Sequence, residues 1–215
     1  FNSTFSIIEA IRLFSPKTKL VYASSSMVYG NFSSPIVDEN ESTGPISAYG
    51  AAKLSSEILV KGYNRSYGVE SIIVRPSAVY GPADINQRVV QRFLSQAIDG
   101  EALSVNDGSL VLDFTYVEDI ANGFSKAVSY LNASRDIHDV FNITSSDPKS
   151  LLEVVNEMQS YFSDIEVELK DREAGVPTRG GLDITHAKKV LGYAPKYNFS
   201  EGLRKYISIE KGFRK

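Results

Sequence analysis

Ser47-Ala48-Tyr49-Gly50-Ala51-Ala52-Lys53 is the stretch on which the reading of this chain turns. On a helix, residues four apart share a face, so the Lys53 ammonium sits close to the Tyr49 phenol and favours its ionised form. A phenol ordinarily titrates near a pKa of about 10, and a neighbouring cation is what makes it a usable general base at neutral pH. The same spacing also describes an ordinary helix surface pair, and in a chain with 12 tyrosines about one such pair arises by chance. The neighbours of the pair decide between the two readings.

Upstream, the short apolar strand Leu20-Val21-Tyr22-Ala23 runs into Ser24-Ser25-Ser26, and Met27-Val28-Tyr29-Gly30 leaves it. An acidic loop leads to the Tyr49 helix. A second strand, Val69 to Arg75, then enters Pro76-Ser77-Ala78-Val79-Tyr80-Gly81-Pro82. Further on come Leu112-Asp113-Phe114-Thr115-Tyr116-Val117-Glu118-Asp119, Val140-Phe141-Asn142-Ile143, and Leu191-Gly192-Tyr193-Ala194-Pro195 with Glu201-Gly202-Leu203 behind it. In this order the motifs resemble the extended short-chain dehydrogenase/reductase family, the nucleotide-sugar epimerases and dehydratases, over nearly the whole chain.

The resemblance implies a catalytic set of Tyr49, Lys53 and Ser25, the last chosen because the family's catalytic Ser/Thr stands four residues before the tyrosine of Val-Tyr-Gly. It implies NAD or NADP as cofactor, contacted by Tyr49, Lys53, Ser24, Pro76 and Ser77. It implies a nucleotide-sugar substrate contacted by Ser25, Ser26, Arg179 and the position of Ala78. Read as residues alone, the serines are also what a strand-terminal turn would carry. Several positions depart from the family pattern. Ser26 and Met27 stand where 4,6-dehydratases carry an Asp-Glu pair, which disfavours dehydration by that route. Ala78 replaces an asparagine, and Leu112 an arginine, that bind the substrate diphosphate in many relatives. Arg179 lies in a loop where relatives place another phosphate-binding arginine. Arg88 and Arg92 fit either a cleft wall or an exposed helix stripe. Glu57, one turn past Lys53, matches a common family acid, but reads rather as a helix-face ion pair.

Composition bounds the rest. The chain has 215 residues, 42% hydrophobic and 23% charged, with a net charge of -3, which fits one or two compact globular units. No apolar run reaches the roughly 18 residues of a membrane span, no signal-peptide pattern appears, and a cytoplasmic location is expected. Cysteine is absent and there are 2 histidines, His138 and His186, so a metal site is not expected. His138 is placed in a polar loop and His186 on the solvated face of a helix capped by Asp183. Interspersed charges give no stripe for nucleic acid. Asn-x-Ser/Thr sequons occur, but Asn142 falls inside an expected strand where a glycan could not fit.

The element order alternates strand and helix, which implies an α/β fold: a Rossmann-like, doubly wound parallel sheet with a smaller mixed α/β substrate-binding lobe. Expected strands are Leu20 to Ala23, Val69 to Arg75, Asp113 to Val117 and Val140 to Thr144, with a helix opening at Pro148. Carried over from the family, residues 1–75 and 113–144 form the Rossmann-like portion, and 76–112 with 145–215 the lobe. Family members open with a strand, a glycine-rich turn and a helix that hold the dinucleotide pyrophosphate. Phe1 to Phe14 instead reads as an amphipathic helix, so the N-terminal strands are expected to be missing and the sheet's edge exposed. The expected function is an NAD(P)-dependent sugar-nucleotide epimerase with Tyr49 as base. The alternatives are a related reductase or a non-catalytic family remnant. Relatives dimerise through the Tyr-x-x-x-Lys helix, and Ile58, Leu59 and Tyr63 could serve a homodimer or the core.

Overall fold

The computed structural model of the chain describes residues 1–134, 138–172 and 175–213. Its helices are α1 (Asn2–Phe14), α2 (Ala48–Tyr67), α3 (Val89–Asp99), α4 (Val117–Ala133), α5 (Leu151–Gln159), α6 (Thr185–Leu191) and α7 (Phe199–Phe213). Its strands are β1 (Leu20–Ala23), β2 (Ile36–Val37), β3 (Ser71–Pro76), β4 (Val79–Tyr80), β5 (Leu103–Asn106), β6 (Val111–Asp113), β7 (Thr115–Tyr116), β8 (His138–Ile143), β9 (Pro148–Ser150), β10 (Val167–Lys170) and β11 (Gly181–Leu182).

Ser71-Ile72-Ile73-Val74 is an unbroken small and β-branched run, the pattern of a strand covered on both faces. It forms the centre of a parallel sheet of order β1-β3-β8. Because side chains alternate along a strand, Ile72 and Val74 pack with Ile120, Ala127 and Leu131 of α4 and Ala187 and Leu191 of α6. Ile73 faces the other way, against Ile8 and Ile11 of α1 and Val60 of α2. The sheet is thus wound by helices on both sides, as the alternation of elements implies. Ala23 pairs with Val74, and Pro76 with Ile143, so the three strands end their carboxyl edges together.

A second core gathers Phe93 and Leu94 of α3, Leu103 and Val105 of β5, Val154 of α5 and Leu203 and Tyr206 of α7. Phe114 and Tyr116 also belong to it. The segment expected as one strand from Asp113 to Val117 is therefore broken outside the main sheet: β6 pairs antiparallel with β9, and β7 parallel with β4. Pro148 opens β9 and not a helix. The helix starts after Ser150, whose hydroxyl accepts from Glu153 N while the Glu153 carboxylate accepts from Ser150 N, a reciprocal cap.

Other positions follow the same logic of burial. In α1 the buried residues are Ile8 and Ile11, whereas Phe1, Phe5, Leu13 and Phe14 are exposed. Of the three residues open to either a dimer or the core, Leu59 and Tyr63 are partly buried against the core and Ile58 is 63% exposed. His138 opens β8 opposite Ser71 and is not in a loop; its side chain lies outside the described residues. Asn142 is buried.

Helix α2 is specified at both ends. Ser47 Oγ accepts from Gly50 N at 3.1 Å, and Gly68 closes the helix in the left-handed conformation. Between them Gly50 approaches the backbone of Met27 so closely that a Cβ there would stand 2.6 Å from the Met27 carbonyl oxygen. Gly50→Ala should therefore destabilise the chain by about 1–3 kcal/mol, measured by urea unfolding, although alanine is the better helix former by about 1 kcal/mol. A stabilised variant would mean that α2 does not press on the serine turn.

Candidate active site

In an open parallel sheet, ligands lie beyond the carboxyl ends of the strands, and the expected residues converge there. Strand β1 ends at Ala23, and Ser24 N continues the pairing to Val74 O at 2.8 Å. Ser25 then caps a 3-10 turn (Ser26–Val28), its hydroxyl accepting from Met27 N at 3.2 Å. The turn packs on the start of α2, where Tyr49 is 56% exposed. Lys53 reaches back from α2 and donates to the Ala23 carbonyl at 2.8 Å, with its ammonium 5.7 Å from the centre of the Tyr49 ring. An ammonium carries three donors, and Ala23 takes one of them.

Across the edge, Pro76 closes β3 and Ser77 is buried. Ala78 follows with φ of 30°, a strained backbone for a residue with a Cβ. Its carbonyl is held by Thr115 N at 3.3 Å. Ala78 and Leu112 carry no polar side-chain atom, and Leu112 packs against the second core.

Arg179 comes in from the loop before β11. It donates to Ser26 Oγ at 2.6 Å and to Met27 Sδ at 2.7 Å, and lies 4.9 Å over the Phe32 ring. Nε of the same guanidinium is buried without a partner. Burial draws its pKa down to about 10, against the attraction of Asp113. Asp113 is itself bound by neutral donors, Leu182 N and Ser145 Oγ, each at 2.9 Å, and burial raises its pKa. Arg92 is removed from this cluster. It donates to Ser104 O in a separate surface cavity with Asn106, Lys170 and Asp171, and Arg88 is exposed.

Sequence reasoning misread Glu57. It is fully buried and bidentate to Arg75, Nε to Oε1 at 2.9 Å and Nη2 to Oε2 at 2.7 Å, and Oε1 also accepts the Ser24 hydroxyl. Arg75 Nη1 donates to Tyr29 Oη at 3.0 Å, and that hydroxyl donates to Asn142 Oδ1 at 2.8 Å. Burial pushes the Tyr29 phenol up to about 12, against Arg75. Removing one partner of a buried ion pair typically costs about 3–5 kcal/mol, well above the few tenths of a surface helix pair. The available signal was the placement of Glu57 one turn beyond Lys53, ahead of an arginine in the next strand.

The polar chain reaches the far side of the sheet, where Asn142 N donates to Glu39 Oε1 at 2.7 Å. His186 lies nearby, bonded to Asp139 at 3.0 Å and stacked on Phe141, so it is a paired histidine and not a solvated one. Asp183 accepts from Thr185 N at 2.6 Å. Among the described residues, no group of three or more His, Cys, Asp or Glu side chains is arranged to hold a metal ion. No helix among them is long and apolar enough to cross a membrane.

Set beside known proteins, residues 1–206 match the family described as GDP-mannose 4,6 dehydratase. The chain belongs to that family. An uncharacterised protein of Methanocaldococcus jannaschii is 30% identical over 214 residues, covering 95% of this chain and 62% of the relative. An uncharacterised UDP-glucose epimerase of Bacillus subtilis is 33% identical over 208 residues, covering 94% and 63%. The chain thus spans less than two thirds of the length of these relatives. The solved UDP-glucuronic acid 4-epimerase of Bacillus cereus, in complex with UDP-glucuronic acid and NAD, superposes with a TM-score of 0.90 at 28% identity, covering 98% of this chain and 66% of that one. The UDP-glucose 4-epimerase of Thermotoga maritima with UDP-glucose gives 0.90 at 26%, covering 99% and 69%. The fold is that of the Rossmann-type epimerases and dehydratases.

Glu39 supplies a test of the polar chain. Burial raises its carboxyl above the ordinary value of 4.5, so in the window above that value the folded state binds the proton more tightly. Stability then falls as pH rises through the folded pKa. Glu39→Gln keeps an oxygen for Asn142 N and removes the charge. Its melting midpoint should exceed the parent's at pH 7, and the gap should close as pH falls towards 4.5. A gap that is constant with pH would remove Glu39 from the buried network.

Proposed function

We propose that the whole protein is an NAD(P)-dependent sugar-nucleotide epimerase in which Tyr49 is the general base. The observation that carries this reading is the Lys53 ammonium, anchored on the Ala23 carbonyl beside the half-exposed Tyr49 at the carboxyl ends of the sheet strands. Tyr49 removes the proton from a sugar hydroxyl, with the Lys53 ammonium 5.7 Å from the centre of its ring. The Ser25 hydroxyl holds the same sugar oxygen. Bound NAD or NADP supplies reversible hydride transfer at that carbon. Tyr49 returns its proton to the same sugar oxygen, and the inversion itself comes from return of the hydride to the opposite face of that carbon.

The residues present suit such a cofactor. Lys53 retains donors for ribose hydroxyls, and Ser24, Pro76 and Ser77 border the same edge with small side chains. The nucleotide sugar lies across Ser25 and Ser26 towards Ala78, with Arg179 as the cation available to its anionic part. The B. cereus epimerase, seen with UDP-glucuronic acid and NAD, supports this class of substrate. The division into a cofactor portion (1–75, 113–144) and a substrate lobe (76–112, 145–215) belongs to the same proposal. Elimination of water by the acidic-pair route is disfavoured, because Ser26 and Met27 stand in the acid–base positions and both engage Arg179.

The test is Tyr49→Phe in the whole protein, followed by NMR of the interconversion of UDP-glucuronic acid or UDP-glucose with their C4 epimers. Turnover should fall by about 10²–10⁴-fold while nucleotide-sugar binding persists. Near-normal turnover would eliminate Tyr49 as the base. Net consumption of NADPH by the unaltered protein would mark a reductase instead.

A further inference from the structure

Ser25 is flanked by two buried side chains that engage opposite halves of one ion pair. Before it, Ser24 donates its hydroxyl to Glu57 Oε1; after it, Tyr29 accepts from Arg75 Nη1 at 3.0 Å. Glu57 and Arg75 hold each other bidentately and are 0% and 3% exposed. Glu57 belongs to α2, one turn past Lys53, and Arg75 to β3, one residue before Pro76. Tyr29 passes the contact on to Asn142 of β8. One pair therefore meets the helix that bears Tyr49, the strand that ends at Pro76, and both flanks of the serine turn.

We propose that Glu57 and Arg75 are positioning residues: their ion pair sets the distance and rotation between the Ser25 turn and the α2 face bearing Tyr49 and Lys53, without touching substrate or cofactor. The inference rests on the catalytic reading of those three residues. Charge is a poor way to hold layers together, because desolvation offsets most of the attraction and packed apolar side chains serve as well. What apolar side chains lack is direction. A guanidinium fork on a carboxylate fixes angle as well as separation, and the remaining lone pair and N–H fix Ser24 and Tyr29. Reacting groups misplaced by about 1 Å lose about 100-fold in rate, so such a device acts on turnover before it acts on binding.

The experiment compares Glu57→Gln, and a double variant with Glu57→Met and Arg75→Met, with the unaltered whole protein. It measures melting temperature, UDP affinity by calorimetry, kcat and KM for epimerisation, and amide hydrogen exchange of residues 24–29. The double variant should melt near the parent and bind UDP as the parent does, while kcat falls by about 100-fold and exchange in 24–29 speeds up by about tenfold. Glu57→Gln should shift kcat and exchange in the same direction, and it decides the matter by itself if the double variant does not fold. A folded variant with kcat and exchange within about threefold of the parent overturns the proposal. In the double variant, so does a parallel loss of kcat, UDP affinity and melting temperature, which marks a merely structural pair. If the unaltered protein epimerises no nucleotide sugar, the proposed function fails on its own account. The exchange of residues 24–29 then still decides the positioning role, with unchanged exchange rejecting it.

Discussion

A carboxylate and a guanidinium withdrawn from water must face each other, and in this chain that requirement falls on Glu57 and Arg75. Each is the other's salt-bridge partner, so α2 settles against β3 in the rotation that lets the fork close. Lys53 and Tyr49, on the same helix, are carried into place with it. Ser24 and Tyr29 complete the coordination of the two charges and draw the serine turn to the same point. The close approach of Gly50 to Met27 is the steric counterpart of this arrangement. The polar contact needs the helix near the turn, and a side chain at Gly50 would hold it away.

Parallel pairing does the rest. Because β1, β3 and β8 run the same way in near register, whatever follows each strand emerges at one edge: Ser24 to Ser26 after β1, Ser77 after β3, Thr144 after β8. Residues far apart in sequence become neighbours without any local signal of their own. The second core, built from α3, α5 and α7 around Phe114 and Tyr116, borders this edge through Ala78 and Thr115. Arg179 enters from the loop before β11, with a buried Nε that has no partner and with neutral atoms for its hydrogen bonds. A guanidinium so placed is an attractive contact for an anionic ligand group.

The sheet strands, the helix around Tyr49 and the order of alternation were legible because each depends on short-range pattern: an unbroken β-branched run in β3, a serine cap and a terminal glycine for α2. The misread elements depend on partners distant in sequence. Pro148 lies in a strand because β6 is beside it, and the Asp113 to Val117 run is broken because Phe114 and Tyr116 face a second core. His186 was taken for a solvated residue because nothing near it in sequence announces Asp139 or the Phe141 ring.

Glu57 shows the boundary most clearly. Its spacing from Lys53 was plain in the sequence, and so was a helix that turns this face one way. Whether that face meets water or the sheet is a question of packing, and packing gives the residue a different energetic role. The amino-acid pattern was enough to establish the α/β architecture, the family motifs and the identity of Tyr49, Lys53 and Ser25 as candidates, because local conformation and residue chemistry carry those. The chain's folding in space made Glu57 and Arg75 a buried pair, brought Arg179 to Ser26 and removed Arg92 from the site. Burial and distance between remote residues are properties of the packed chain, and no local spacing encodes them.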